Sequence, residues 1–355
     1  MRVPVAFGLL ALAVTFVSVG ASLRAAGWDV TALPRVDGTT GIGAAAKARD
    51  PGFHTVQTGA YDGQWYWGIA VDPLATGNVH QSFDSPAYRY SHPLYGWSGW
   101  LVSAGQARAA PWSLLVVGLL SMFAAAAAAA ELGGRSWAAL FVALNPGLVY
   151  SASHDLTEPL SAALLLGGLL AYSRGRRAVA IACFGLLVLS KEPYATVPVV
   201  LAACEFLKRR ARPVESLALA AAVVPAALWW VYVRLRLGHW FTTAGHDAFV
   251  TPFAGWKRAI DLAAAHSYDL DPTQNQFGES TLVVFVALAG LLVLTAAVAV
   301  VTRSPAALAY LPLFAILACL GAAGTIYERD ILRNAAVPLV LVPFILRAYS
   351  RGRPD

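Results

Sequence analysis

The chain has 355 residues, of which 58% are hydrophobic and only 13% are charged, and its formal net charge is +6. Soluble domains carry about 25% charged residues, so this composition excludes a soluble enzyme and describes one integral membrane domain, 1–355. The positive charge falls in short clusters between apolar runs, as the positive-inside bias predicts, so no nucleic-acid partner is expected.

Runs of about 20 apolar residues cross a bilayer as helices. Such runs are predicted at 3–23, 111–131, 136–152, 156–173, 177–191, 193–208, 214–237, 281–302, 305–325 and 331–348. The fold class is therefore all-α, a polytopic bundle of about ten transmembrane helices. The first run is longer than the apolar core of a secretory signal, and only Arg2 precedes it, so it is read as a retained span. With ten spans, Arg2, Arg135, Arg174, Arg176, Arg177, Lys208, Arg209, Arg210, Arg212, Arg303, Arg347, Arg351 and Arg353 all fall on one side, which the same bias makes cytoplasmic. Both termini are then expected inside, in a multi-pass cell-membrane protein. Cys183, Cys204 and Cys319 lie in apolar runs and suggest neither a disulfide framework nor a zinc site.

Two long loops are predicted outside, 24–110 and 238–280. The first contains AYDGQWYWGIAVDP at 60–73, where Asp62 followed by Gly63, Gln64 and Trp65 reads as a helix start with Asp62 as N-cap. The stretch HPLYGWSGWLVSAG at 92–105 is apolar enough to suggest an eleventh span. Counting it would scatter the later basic clusters over both sides, so a surface helix rich in Tyr95, Trp97 and Trp100 is predicted instead. In the second loop, Thr251 as N-cap and Pro252 at the first position predict a helix with Phe253, Trp256 and Ile260 on one face.

The unusual polar residues gather at the predicted outer ends of the spans. SHDLTE at 153–158 places His154 and Glu158 four apart, SKEP at 190–193 carries Lys191 and Glu192, and YERD at 327–330 leads to Arg333 inside an apolar run. A charge at bilayer depth costs roughly 2.5–3.5 kcal/mol on insertion scales, so such residues face polar cavities and mark function. Paired charges snorkelling at helix ends are the bland alternative for each residue alone. It weakens for the set, because three turns and one loop place ionisable groups on one side. Cations at that depth suit a lipid-borne phosphate, and a fixed carboxylate suits a general base for an acceptor hydroxyl.

This layout resembles the GT-C superfamily of polyprenyl-phosphate-sugar-dependent membrane glycosyltransferases. YDGQWYWGIAVDP is similar to the first-loop motif of bacterial members and of eukaryotic GPI mannosyltransferases, and HPLYGWSGWL to the surface helix that follows it there. HDLTEPLSAALLL, LSKEPYATVPVV and YERDILRNAAVPLVLVPF resemble later segments of the same enzymes. The resemblance implies that Asp62 is the catalytic base. It makes Arg89, His92, Lys191, Arg329 and Arg333 ligands of the donor phosphate, and it sets His154, Asp155, Glu158 and Glu192 on the sugar or acceptor side. Tyr61, Gln64 and Tyr66 join them as substrate-binding residues. Many relatives have paired acids in this loop, whereas here Asp62 stands alone until Asp72. No cofactor is therefore expected, although His154, Asp155 and Glu158 are the set that would hold a divalent metal.

The resulting expectation is an inverting glycosyltransferase that moves a mannose-like sugar or a pentose from a polyprenyl-phosphate donor. The acceptor is a lipid or glycan hydroxyl at the outer leaflet, with membrane lipid as the surrounding partner. Two other classes compete. A lipid or glycan transporter or flippase would carry polar sites near the midplane and internal repeats. A non-catalytic envelope-assembly protein would pair off its outer charges and leave no open cleft.

Overall fold

Apolar runs without internal charge leave the backbone no partner in lipid except itself, so they fold as helices. The computed structural model describes residues 3–134, 136–208, 212–243, 249–265, 280–321, 324–325 and 327–352. The expectations placed on Arg2, Arg135, Arg209, Arg210 and Arg353 lie outside the described residues, as do those parts of the second loop at 244–248 and 266–279. The described residues are helices and turns, with isolated bridges between Asp37 and Val56 and between Phe249 and Leu320.

Each of the ten predicted runs contains helix, several of them short or broken, and among the described residues four helices are long and apolar enough to cross a membrane. Long apolar helices occur at α1 (Val3–Ala25), at α6 (Ala110–Gly133) with the 3-10 turn before it, and across 213–237. The fourth long one, Thr281–Thr302, is α15 once the intervening helices are numbered. Between the first two lie the short helices of the first long loop. These are α2 (Gly41–Arg49), α3 (Gly63–Val71), α4 (Pro86–Arg89) and α5 (Leu94–Val102). Nine residues rise only about 14 Å, so α5 is too short to span. It packs against α3 and α6 through Tyr95, Gly96 and Gly99 and leaves Leu101 and Val102 exposed.

The predicted third span is two helices, α7 (Ser136–Ala143) and α8 (Pro146–Ala152). Asn145 makes the break: its Oδ1 accepts the N–H groups of Gly147 and Leu148 at 3.1 and 3.2 Å, and Pro146 follows at the first helical position. Next come α9 (Glu158–Ser173), α10 (Arg177–Ser190) and α11 (Thr196–Leu207). The 213–237 unit comprises α12 (Pro213–Ala220) and α13 (Val224–Leu237) around a 3-10 turn. After α14 (Ala254–Ala264) and α15 come α16 (Pro305–Ala318), α17 (Glu328–Leu339) and α18 (Val342–Ser350), the last two bent by 43°.

The start of α14 corrects the sequence reading. It begins at Ala254 after Phe253, whose φ is +66°, and not at Thr251. Tertiary bonds set it there: Val250 N–H donates to Cys319 O and Phe253 N–H to Ala318 O. They pin the segment to the end of α16 and override the local capping signal. The predicted apolar face holds through Trp256, which is buried with Ala259 and Ala263.

The bundle has two chemically different ends. At one, Arg174 pairs with Glu131, and Arg177 reaches Glu205 at 3.0 Å and Glu215 at 3.5 Å. The opposite end holds the start of α9, the end of α10 and the start of α17, where the predicted site residues lie. Alanines 125, 126, 129 and 130 of α6 are buried against α1 and α9, so the helices pack closely. The tightest approach that bears on the site is at Gly147. A Cβ there would stand 2.2 Å from Leu332 O and 2.8 Å from Ala336 Cβ, on the helix that carries Arg333. Gly147→Ala is therefore expected to push α17 off α8 and to cost about 1–3 kcal/mol, seen as a lower unfolding temperature in detergent.

Candidate functional site

Asp62 occupies the N-cap position of α3, yet its carboxylate accepts no N–H from that helix. It faces two guanidinium groups instead. Arg89 Nη1 lies 3.1 Å from Oδ1 and Arg333 Nη1 lies 2.7 Å from Oδ2. Gly63 is required beside it: a Cβ there would stand 2.3 Å from His154 O and 2.9 Å from Pro34 O. Two other loops thus converge on the residue after the acid and fix where it points.

Each arginine is anchored on its other edge. Arg89 donates from Nε and Nη2 to Asp84 at 3.0 and 2.8 Å and stacks over the rings of Trp65 and Tyr88. The loop around Arg89 is clamped by α13, whose Trp229 and Trp230 donate from Nε1 to Tyr90 O and Ser91 O. Arg333 donates from Nε to Glu158 Oε1 at 2.9 Å. Lys191 Nζ donates to the same oxygen at 3.1 Å and to Asn334 Oδ1 at 3.3 Å. Glu158 is 1% exposed, so it reaches the cleft only through the two cations it holds.

Burial works to raise the Asp62 carboxyl, and Arg89 and Arg333 outweigh it, with Lys191 helping, so it is held well below the usual carboxylate range. It is an anion, and while both pairs persist it is a poor base. The cleft above it is lined by Asp62, Trp65, Tyr66, Tyr88, Arg89, His92, Lys191 and Arg333. His92 presents Nδ1 to Glu192 Oε1 at 2.9 Å, and the Ser91 hydroxyl donates to the same carboxylate.

Tyr61 ties in a second group. Its hydroxyl donates to Asp330, and its ring lies under Arg329 at 4.5 Å and Arg333 at 5.3 Å. The ring of His154 stacks on Tyr150 at 4.0 Å between centroids and meets the edge of Tyr61. Its Nδ1 lies 2.9 Å from Tyr150 O.

The structure therefore brings Asp62, Tyr66, Arg89, His92, Lys191 and Arg333 to one cleft, with Tyr61, Glu158, Glu192 and Arg329 immediately around it. It corrects two expectations. Gln64 does not line the cleft: it is buried, and its Oε1 accepts Asp37 N–H at 3.1 Å, tying the loop to α3. Asp155 does not line it either: its side chain is wholly buried at a φ of +51°, neither oxygen has a hydrogen-bond partner, and burial pushes its carboxyl well up. Among the described residues no three His, Cys, Asp or Glu side chains converge as a metal-ligand set, His154, Asp155 and Glu158 included. Trp65 and Tyr88, which flank Arg89, and Asp84, which holds its outer edge, are not among the site residues the sequence predicts. Aromatic residues are frequent at any membrane interface, so nothing local distinguished these.

No protein-family model matches the chain, and no curated protein matches it in sequence. Among solved structures it is similar to that of ArnT from Cupriavidus metallidurans bound to undecaprenyl phosphate, with a TM-score of 0.50 and 14% identity. The match covers 98% of this chain and 61% of that one, so this chain spans about three fifths of the other's length. The likeness is one of fold: this chain shares the all-α architecture of that structure and carries several helices apolar enough to cross a membrane.

Burial, aided by Arg35, Arg329 and Arg333, lowers His154 to about 4, against the hydrogen bond to Tyr150 O. A histidine held neutral stabilises the fold fully above its ordinary value near 6.5 and loses that contribution as the pH falls toward 4. Stability measured by unfolding should fall by at most about 1.4 kcal/mol per pH unit through this group as the pH drops across this window, and His154→Gln should flatten that part of the slope.

Proposed function

We propose that the protein is an inverting glycosyltransferase using a polyprenyl-phosphate sugar as donor and a lipid or glycan hydroxyl as acceptor. The observation that carries this reading is the convergence of one carboxylate, Asp62, with Arg89, Arg333 and Lys191 in a single cleft of a GT-C fold. The fold neighbour was solved with undecaprenyl phosphate bound, which supports a lipid phosphate as the donor's carrier. A mannose-like sugar or a pentose remains the proposed cargo. The cleft is proposed to face outward, with both termini inside, because the basic pairs around Arg174 and Arg177 lie at the other end of the bundle.

In this reading the acceptor hydroxyl approaches the anomeric carbon from the face opposite the phosphate. Asp62 takes the hydroxyl proton as the new C–O bond forms. The bond from the anomeric carbon to the phosphate oxygen breaks, and polyprenyl phosphate leaves with one more negative charge than the donor phosphodiester had. Arg89, Arg333 and Lys191 stabilise that added charge more strongly in the transition state than in the ground state. Glu158 holds Arg333 and Lys191 at the spacing this requires. The aromatic faces of Trp65, Tyr66 and Tyr88 offer stacking for the sugar.

Loss of a general base slows a reaction by about 10²–10⁴-fold. Asp62→Asn should therefore reduce sugar transfer from a polyprenyl-phosphate sugar by at least that range while the protein still inserts and stays monodisperse in detergent. Full activity in that variant would remove Asp62 from the chemistry. The proposed mechanism gives charge neutralisation to three side-chain cations, so the wild-type rate should persist in excess chelator. A rate restored only by added divalent ions would replace this mechanism with a metal-assisted one.

A further inference from the structure

The geometry points to direct competition between Asp62 and the donor phosphate for the same two guanidinium edges, so that donor binding is what releases Asp62 to act as a base. This rests on the proposed reading of Arg89 and Arg333 as phosphate ligands.

The division of labour on each arginine carries the inference. Arg89 uses Nε and Nη2 on Asp84 and turns only Nη1 to Asp62. Arg333 uses Nε on Glu158 and turns only Nη1 to Asp62. Each guanidinium thus has one edge committed to a supporting carboxylate and one nitrogen aimed into the cleft. The two aimed nitrogens grip the two oxygens of a single carboxylate, one each. A guanidinium fork fits carboxylate and phosphate alike, so the Asp62 carboxylate sits in a ready-made site for two oxygens of one anion. Asp62 is 27% exposed on its side chain, whereas Glu158 is 1% exposed. Of the anions that hold Arg333, Asp62 is the one an incoming ligand can reach and displace.

The ion count leaves one anion without a cation once a phosphodiester arrives. Three cations, Arg89, Lys191 and Arg333, face three carboxylates, Asp62, Asp84 and Glu158. These six ion-paired groups balance one another before a ligand arrives, and a phosphodiester brings one anion too many whichever carboxylate or phosphate the arginines hold; exchange puts that surplus on Asp62, where a proton from the acceptor cancels it. Exchange leaves the phosphate on the arginines and Asp62 without its two strongest partners, which restores its basicity. Proton transfer then neutralises Asp62 in the same step in which the leaving phosphate gains its extra charge. Protonated Asp62 no longer draws the arginines back until product departs.

The test is binding, which needs no turnover. Undecaprenyl phosphate is titrated into the purified full-length protein in detergent micelles. A ligand that must displace an internal competitor binds more weakly by the fraction of time the site is free. Asp62→Asn is therefore expected to bind the lipid about tenfold tighter than wild type, although it is the variant that loses transfer. Asp62→Ser should behave alike and guards against a folding defect peculiar to the first variant. Asp84→Asn makes the same charge change on the edge of Arg89 that the phosphate does not need, and its gain should be much smaller.

Unchanged or weaker binding in both Asp62 variants would overturn the competition. So would an equal gain in Asp84→Asn, which would reduce the effect to general electrostatics. The outcomes separate this inference from the proposed function. Tighter lipid binding without transfer from any polyprenyl-phosphate sugar would sustain the competition and sink the transferase. Asp62-dependent transfer with unchanged lipid affinity would do the reverse.

Discussion

The site depends on one carboxylate held between two arginines that come from opposite ends of the sequence. Asp62 and Arg89 belong to the first long loop, and Arg333 to a helix some 240 residues later. Bringing ionised groups out of water costs several kcal/mol each. Attraction between unit charges at about 4 Å returns roughly 4 kcal/mol at an effective dielectric constant of 20. No single pair offsets burial comfortably. The alternation Asp84, Arg89, Asp62, Arg333, Glu158, Lys191 does, because each inner member has an opposite charge on both sides.

The surrounding structure serves that chain of charges. Gly63 lets the backbone of 34 and 154 close on the residue after Asp62, and Gly147 lets α17 close on α8. Asn145 makes both the break and the contact: its oxygen caps α8 and its Nδ2 donates to Ala336 O at 3.0 Å. Trp229 and Trp230 carry α13 onto the loop that presents Arg89 and His92. Breaks in the spans fall where the site needs a turn, as irregular backbone at membrane depth survives only inside protein or beside a cavity.

The pairing also reconciles two descriptions of Asp62 that conflict at first sight. A base needs a carboxylate with an affinity for protons, and two arginines remove that affinity. If the same arginines serve a phosphate, the acid is quiet without donor and basic with it. In the proposed transferase this arrangement would keep water from being activated at an empty cleft, the base being engaged until a lipid phosphate takes its place.

Much was legible in the sequence because membrane physics writes itself into composition. The ten helical runs, the shortness of the helix at 94–102 and the collection of ionisable residues at one end follow from apolar length and charge placement, which the bilayer enforces residue by residue. Asp62, Arg89, Lys191 and Arg333 stood out because charges next to apolar runs are expensive anywhere. What the sequence could not hold is which charge meets which. Gln64 and Asp155 resemble site residues locally, yet one is drawn to Asp37 N–H and the other is buried without a partner, outcomes fixed by how distant loops stack. Thr251 and Pro252 signal a helix start that contacts to α16 move to Ala254. Apolar length is a property of consecutive residues, so the chain alone determined where the apolar helices form. An ion pair is a property of two positions in space, so only the packing of α3, α4, α9 and α17 decided that Asp62 would stand between Arg89 and Arg333.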